Sequence, residues 1–550
     1  MAGMLLLDEL EQMTTLLGTM ARCVASGRSL NQAELQRLLR DVGLEPEPEL
    51  LAELEQWSAL LGHARARGVE TVATDTVEAL TLRGVSEASA VLAVATATAA
   101  ISHVADEAPP VHGSRSGTSG SVDPWPPRAF GPERLGHSAK LVVASDGTGT
   151  HHSLAAALDA ARPGATILLK RGVHYLKRGY LLKQPVTLLG EGTEDTELVA
   201  HQGQFVLAHQ RSGLFELRDL TVRWAGPASV VASVVAVSDG EVHFERCRFL
   251  GAESAGLGAG LLFTGMAAGS VRSCRLEANG AGIAIQDRAS VTLDDNVCRE
   301  NSGHGIRYSG RATGTARSNT CVANGYDGIS VQDAALPLLE GNICQDNGWS
   351  GVGCAGDSDA TVHHNICMGN HHSGIHVREQ SQPVLQENRC AENRDSGISY
   401  AGSSGGAAID NECTANAKYG ICVAQDSRPL LTTNVVSDNH DTGIAYFGRG
   451  AGTAQGNNSK RNAHHGIYVG DQARPTLDTN VCERNRWTGL AYFGSAGGKA
   501  ARNRCSRNGK RDLYVERGAR PLLQANILHA DQEAGPTSPM LWASRALHRT

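Results

Sequence analysis

The sequence predicts a mainly β fold: a right-handed parallel β-helix, wound as a single-stranded solenoid of 23-residue coils and preceded by a small α-helical N-terminal segment. Three observations carry this. Asparagine recurs every 23 residues from Asn296 to Asn526 without a break. A second series, Asn301 to Asn508, keeps the same step five residues behind, and its first nine members each precede a Gly-Ile, Gly-Val or Gly-Leu pair. The 550 residues include 63 glycines and only 4% aromatics, a composition suited to many tight turns around a narrow aliphatic core. Self-similarity at this period means one coil per repeat.

The N-terminal part reads differently. Apolar residues fall at helical spacing from Met4 to Arg22, Ser29 and Gln32 form a capping-box pattern ahead of Leu35, and a further amphipathic stretch runs from Glu49 to Ala66. Residues 1–105 are therefore expected to be an α-helical segment, a small structural bundle by default, with docking of a protein partner as the alternative role. Residues 106–140 turn to Pro, Gly and Ser and are expected to form a flexible linker. The β-helix with an N-terminal cap is expected over 141–531, and a C-terminal tail or cap over 532–550.

Within the solenoid the asparagines are assigned to structure. Coils of a parallel β-helix stack about 4.8 Å apart, so equivalent asparagines bond one another along the axis and satisfy backbone that would otherwise be buried unpaired. Cysteine falls two residues after the first asparagine from Cys298 to Cys413 and again at Cys482 and Cys505, with Val436 and Ser459 in the same register. That replacement pattern fits stacked inward thiols, and neither zinc nor disulfides. A finer period of 46 alternates coils carrying Tyr308, Tyr400, Tyr446 or Tyr492 with coils carrying Val331, Val377, Val423, Val469 or Val515. Eight residues on, the tyrosine coils have Ala and the valine coils Leu, which holds the interior volume constant.

Charge and hydropathy narrow the function. A formal net charge of −7 with no Lys/Arg stripe argues against nucleic acid. The first residues carry Asp8, Glu9 and Glu11 where a secretory signal needs a basic start. The stretch from Ala88 to Val104 is too short and weakly apolar to span a membrane. A soluble cytoplasmic protein without membrane contact is the expectation. Nothing in the sequence requires a cofactor or a metal.

Units such as GISVQDAALPLLEGNIC and GIAYFGRGAGTAQGNNS resemble the parallel β-helix repeats of the pectin-lyase-like superfamily. The resemblance covers the chain from about Ser273 to the end of the solenoid. Upstream, LVVASDGTGTHHSLAAALDAARPGATILLKRGVHY looks like the opening segment of such proteins, where a strand and a short helix close the end of the solenoid. What the resemblance implies is the fold and a frequent link to carbohydrate binding or processing. It supplies no catalytic set. Asp294-Asp295 and Gly303-His304-Gly305 lie too close together for the polygalacturonase pattern, whose NTD and RIK motifs are missing. The pectate lyase, pectin methylesterase and alginate epimerase signatures are absent too. His304 shares its register with Asp327, Ser350, Ser373, Tyr419 and Thr488, so it is read as a chance occupant.

The candidate ligand-binding residues are Tyr326, Trp349, His372, Tyr419, His464 and Trp487. They lie between the second asparagine and the Gly-Ile pair, where rings on an outward turn can stack on sugar faces. Asp287, Asp333, Glu379 and Asp471 form an acidic row that recurs every second coil. Asp333 and Glu379 are its weak catalytic candidates, and a solvated turn is the plainer assignment. His363, His364, His371, His372 and His376 form the only histidine cluster, but strand alternation keeps them from converging on a metal.

These features predict a non-catalytic binding or scaffolding β-helix that recognises carbohydrate or a protein partner along its surface. A polysaccharide lyase or glycoside hydrolase using surface carboxylates is the first alternative. A structural or assembly-forming protein is the second.

Overall fold

The computed structural model describes residues 141–529, apart from 145, 228, 229, 231 and 254–257. The chain divides into two units, residues 1–132 and 133–550, and every described residue lies in the second. The helical segment expected over 1–105, the linker over 106–140 and the tail over 532–550 lie outside the described residues.

The solenoid is a right-handed parallel β-helix. One coil shows the plan. Ile306–Tyr308 belongs to a first strand row, Thr313–Arg317 to a second and Thr320–Val322 to a third. The chain then returns to the first row at Ile329–Val331, paired in parallel register with Ile306–Tyr308. The third row forms a 16-stranded sheet. The first two rows merge into one 30-stranded sheet, because the long strands Phe205–Arg218 and Ser233–Glu245 run through both.

Single residues in the left-handed region turn the chain at each corner. Ser318 (φ 54°) bends between the second and third rows, Ala323 (φ 53°) follows the third row, and Asp333 (φ 59°) follows the first. The first two bends are each followed by an asparagine, and this is why there are two ladders. Asn365 is representative. Its Nδ2 donates to Leu339 O, His363 O and Asn388 Oδ1, all at 3.0 Å, while its Oδ1 accepts from Asn342 N and Nδ2 at 2.9 Å. The carboxamide thus closes the backbone accounts of a corner that is wholly buried. Above its first asparagine the first ladder continues through sulfur: Cys274 N donates to Asn296 Oδ1 at 3.0 Å and Cys247 N to Cys274 Sγ at 3.4 Å. The second ladder ends on Asp512, whose Oδ1 accepts from Asn508 Nδ2 at 2.7 Å.

Core packing follows the sequence pattern. Cys298, Cys321, Cys344, Cys367, Cys390 and Cys413 stack strand to strand in the third row, free and buried. Val436 and Ser459 continue the stack to Cys482. Tyr308, Tyr400, Tyr446 and Tyr492 are fully buried, as are Ala316, Ala408, Ala454 and Ala500, so each large ring is matched by a small residue across the coil. The four phenol hydroxyls find no hydrogen-bond partner. At the N-terminal end, the strand Leu141–Val143 pairs with Ala165–Leu169. The helix Leu154–Ala160, capped by Ser153, buries Leu154, Ala157 and Leu158 over the first coils. This helix covers apolar core that a bare first coil would expose. No helix among the described residues is long and apolar enough to cross a membrane.

Candidate functional site

With the interior fixed by ladders, chemical variety is confined to the outer faces and turns. One such face is built by the first strand row and the turn before it. Residues at one turn position, 23 apart, are joined by backbone hydrogen bonds into a row: Tyr326, Trp349, His372, Asp395, Lys418, Asp441, His464, Trp487 and Lys510. Five of the six predicted ligand-binding residues stand in this one row. Tyr419 lies one register further on, in line with Asp327.

The upstream part of the face gathers ionisable groups. His304 lies beside Asp327 of the next coil, with Nδ1 3.5 Å from Asp327 Oδ2 and accepting from Asp327 N at 3.3 Å. Ser350 N donates to Asp327 Oδ1 at 3.0 Å. The carboxyl leans over Gly353, where a Cβ would stand 2.6 Å from Asp327 Oδ2, so this glycine makes room for the acid. A shallow pocket is lined by Asp327, Ser330, Trp349, Gly353, Ala355, His376 and Arg378. Trp349 belongs to a run of rings, His304, Tyr326, Trp349 and His372, whose successive centroids lie 5.4, 6.3 and 6.1 Å apart. Tyr326 and Trp349 remain 45% and 37% exposed.

Burial sets the protonation states. It pushes the Asp327 carboxyl up to about 6, although Ser350 N and nearby Arg378 oppose the shift. It holds the His304 imidazole down at about 3, with the positive charges of Arg307 and Arg378 adding to the effect. His376 is likewise held at about 3 by burial, then by His372 and Arg378. Burial also lowers Arg307, whose Nε has no hydrogen-bond partner. The cluster therefore pairs a carboxyl that titrates near neutrality with imidazoles that stay uncharged, a combination able to give and take protons. Sequence reasoning took His304 for a chance occupant and did not single out Asp327 or Arg378. The signal available was the shared register of His304 and Asp327.

Downstream, rings dominate. Phe447 lies 5.4 Å from Tyr419 and 5.3 Å from Tyr468, and Tyr468 stacks 5.3 Å from Phe493 at 24°. Phe493 reaches Tyr514 at 5.1 Å. Beside them Trp487, 36% exposed, lies 4.5 Å from His464, and the ammonium of Lys510 sits 3.8 Å over its ring. Phe447, Tyr468, Phe493 and Tyr514 were not predicted, because only the strand geometry shows that they face outward on the same side as the turn row.

The acidic row has a structural occupation. Asp333 Oδ2 accepts from Gly310 N at 2.7 Å, Glu379 Oε2 from Gly356 N at 2.9 Å and Asp471 Oδ2 from Gly448 N at 2.8 Å. Asp333 and Glu379 themselves occupy left-handed turn positions (φ 59° and 62°). Each of these carboxylates tethers a turn to the coil before it. Of the histidines, His364 pairs with Glu387 at 3.3 Å and His372 with Asp395 at 3.6 Å. Among the described residues no three His, Cys, Asp or Glu side chains are arranged to hold a metal ion.

A family model described as the right handed beta helix region matches residues 206–337, 315–459 and 419–537. No curated protein matches the chain. Among solved structures, the A-module of mannuronan C-5 epimerase AlgE4 from Azotobacter vinelandii is 16% identical, covering 70% of this chain and 94% of its own, with a TM-score of 0.39. Pectate lyase Pel9A is 13% identical over 48% of this chain and 77% of its own, TM-score 0.30. The catalytic domain of a GH87 alpha-1,3-glucanase in complex with nigerose is 12% identical over 72% and 67%, TM-score 0.34.

Proposed function

The chain belongs to the right-handed β-helix family, and from that premise we propose that it binds a polysaccharide along the face of the first strand row and acts on it by proton transfer at Asp327. One observation carries the reading. A carboxyl held near neutrality touches an uncharged imidazole on an outer face, beneath exposed aromatic rims. Burying ionisable groups costs stability, so groups kept this way on a surface are functional candidates. Tyr326, Trp349 and His372 supply ring contacts for a sugar, and Asp327 and His376 exchange protons with it. Arg378, at the pocket wall and already bonded through Nη1 to Glu379 Oε1 at 3.1 Å, offers its remaining N–H groups to an anionic substituent. In this reading Asp333 and Glu379 serve as turn tethers.

The test uses the full chain against alginate, polygalacturonate and an α-1,3-glucan. Binding is measured first, then new chain ends and deuterium taken up from D2O. Asp327→Asn and His376→Gln are expected to abolish chemistry while binding persists, and Trp349→Ala is expected to weaken binding. Cleavage or exchange that survives Asp327→Asn would refute the assignment.

A second reading, recognition without catalysis, is favoured by the uniformity of the coils. From Ser273 to Asn526 no long loop interrupts the register to wall a cleft. Binding by the wild-type chain with neither cleavage nor exchange would select it.

A further inference from the structure

The proton-transfer cluster occupies only one part of the face. In the outward register of the first strand row, His376 is followed by Ser399, Cys422, Ala445 and Tyr468 on successive paired strands. Four coils separate the histidine from the tyrosine, about 19 Å at ~4.8 Å per coil. The residues between them are small, and two registers on Ala401 and Ala424 are small as well. Bulk then returns with Phe447, Tyr468 and Phe493, half-buried and stepping at 5.3 Å.

We propose that this aromatic platform holds the distal part of the same linear polysaccharide whose reacting residue lies over Asp327 and His376, so that the ligand is a long chain gripped at two points across a small-residue floor. The inference rests on the proposed function and deepens it. Continuity supports it, since platform and cluster share the same registers on one face. Spacing supports it too: one coil advances ~4.8 Å, close to one sugar of an extended chain, so rings on successive coils meet successive residues in register. The chemistry is amphipathic in the way a pyranose is. Ring faces stand beside a polar rim in which His464 Nδ1 meets Asp441 Oδ1 at 2.7 Å and Lys510 caps Trp487.

The experiment takes the full-length protein and size-graded oligomers, two to twelve residues long, of alginate, polygalacturonate and an α-1,3-glucan. Affinity and turnover are measured for the wild type and for Trp487→Ala and Tyr468→Ala. The second variant guards against misfolding of the first, and thermal melts check both. Wild-type affinity is expected to step up at least about tenfold once an oligomer of roughly six residues reaches both sites. Both variants should remove that step. An affinity that levels off by three residues, with variants matching the wild type on long chains, would overturn the platform and leave the function standing. A length step without turnover supports the platform while refuting proton transfer at Asp327. Absence of binding to every polymer overturns both.

Discussion

Asp327→Asn is expected to destroy the chemistry of the face and yet stabilise the fold. The carboxyl titrates near 3.8 when exposed and near 6 in the native protein. Between those values the native state holds a proton that the unfolded chain has released, so stability falls as pH rises through the window and stays reduced above it. About two units corresponds to on the order of 3 kcal/mol at pH 7. An asparagine keeps the oxygen that accepts from Ser350 N and removes the charge. Urea unfolding of both proteins from pH 3.5 to 8 gives the difference in stability. That difference should be near zero at the acid end, grow between pH 4 and 6 and then hold level. His304 and His376 work in the opposite sense. Their folded values near 3 lie below the ordinary 6.5, so the stability they contribute is lost as pH falls from about 6.5 toward 3. Both proteins share that loss, and it cancels in the difference. A variant less stable than the wild type at pH 7, or a difference that ignores pH, would refute the assignment of a costly buried carboxyl.

Three further outcomes follow from the geometry. Asn365→Ala leaves Asn342 N without its acceptor, takes from Asn342 Nδ2 one of its two acceptors (Ala316 O remains) and removes a donor from Leu339 O, all in a buried corner, at ~1–3 kcal/mol for each bond left unmade. A loss of several kcal/mol in unfolding experiments is expected, together with faster hydrogen exchange at Asn342, and a loss under 1 kcal/mol would sink the ladder argument. Gly353→Ala forces Asp327 Oδ2 to move from 2.6 Å, and because the neighbour is the free end of a side chain the fold should survive. Activity is expected to fall at least about tenfold, corresponding to ~1.4 kcal/mol of transition-state stabilisation, with an unchanged melting temperature, and full activity would show that the carboxyl position is unimportant. Tyr400→Phe removes a buried hydroxyl that has no partner, so stability should hold or rise by about 1 kcal/mol. A loss larger than that would reveal a hydrogen bond to the phenol.

The scaffold was legible because its constraints repeat. A ladder asparagine must be asparagine in every coil, so Asn296 through Asn526 announce the coil length, and the pairing of Tyr308 with Ala316 discloses interior volume. The candidate face was only partly legible, because its residues do not repeat. Tyr326, Trp349, His372, His464 and Trp487 could be aligned by counting, since they share one turn position. Phe447, Tyr468 and Phe493 could not, because facing outward depends on which strand residues point in. The acidic row reads from sequence first as a turn, and its recurrence has a structural counterpart: Asp333 and Glu379 each accept a glycine N–H from the coil before them, a demand that also recurs at a fixed period.

That contrast explains where chemistry can sit in such a molecule. Each coil is held by its two neighbours, through ladders and strand pairs, so stability is close to a sum of local interfaces. A penalty on the order of 3 kcal/mol at Asp327 falls on a coil fastened on both sides by asparagines of both ladders. The same penalty on the last coil would fall where the second ladder has already ended at Asp512. The cluster from His304 to Arg378 lies inside the ladder-bound stretch, and the positions that change freely from coil to coil are the outward ones. Variation at the surface is thus the visible counterpart of invariance inside: the ladders fix backbone and core, and the outward positions are the ones left to vary.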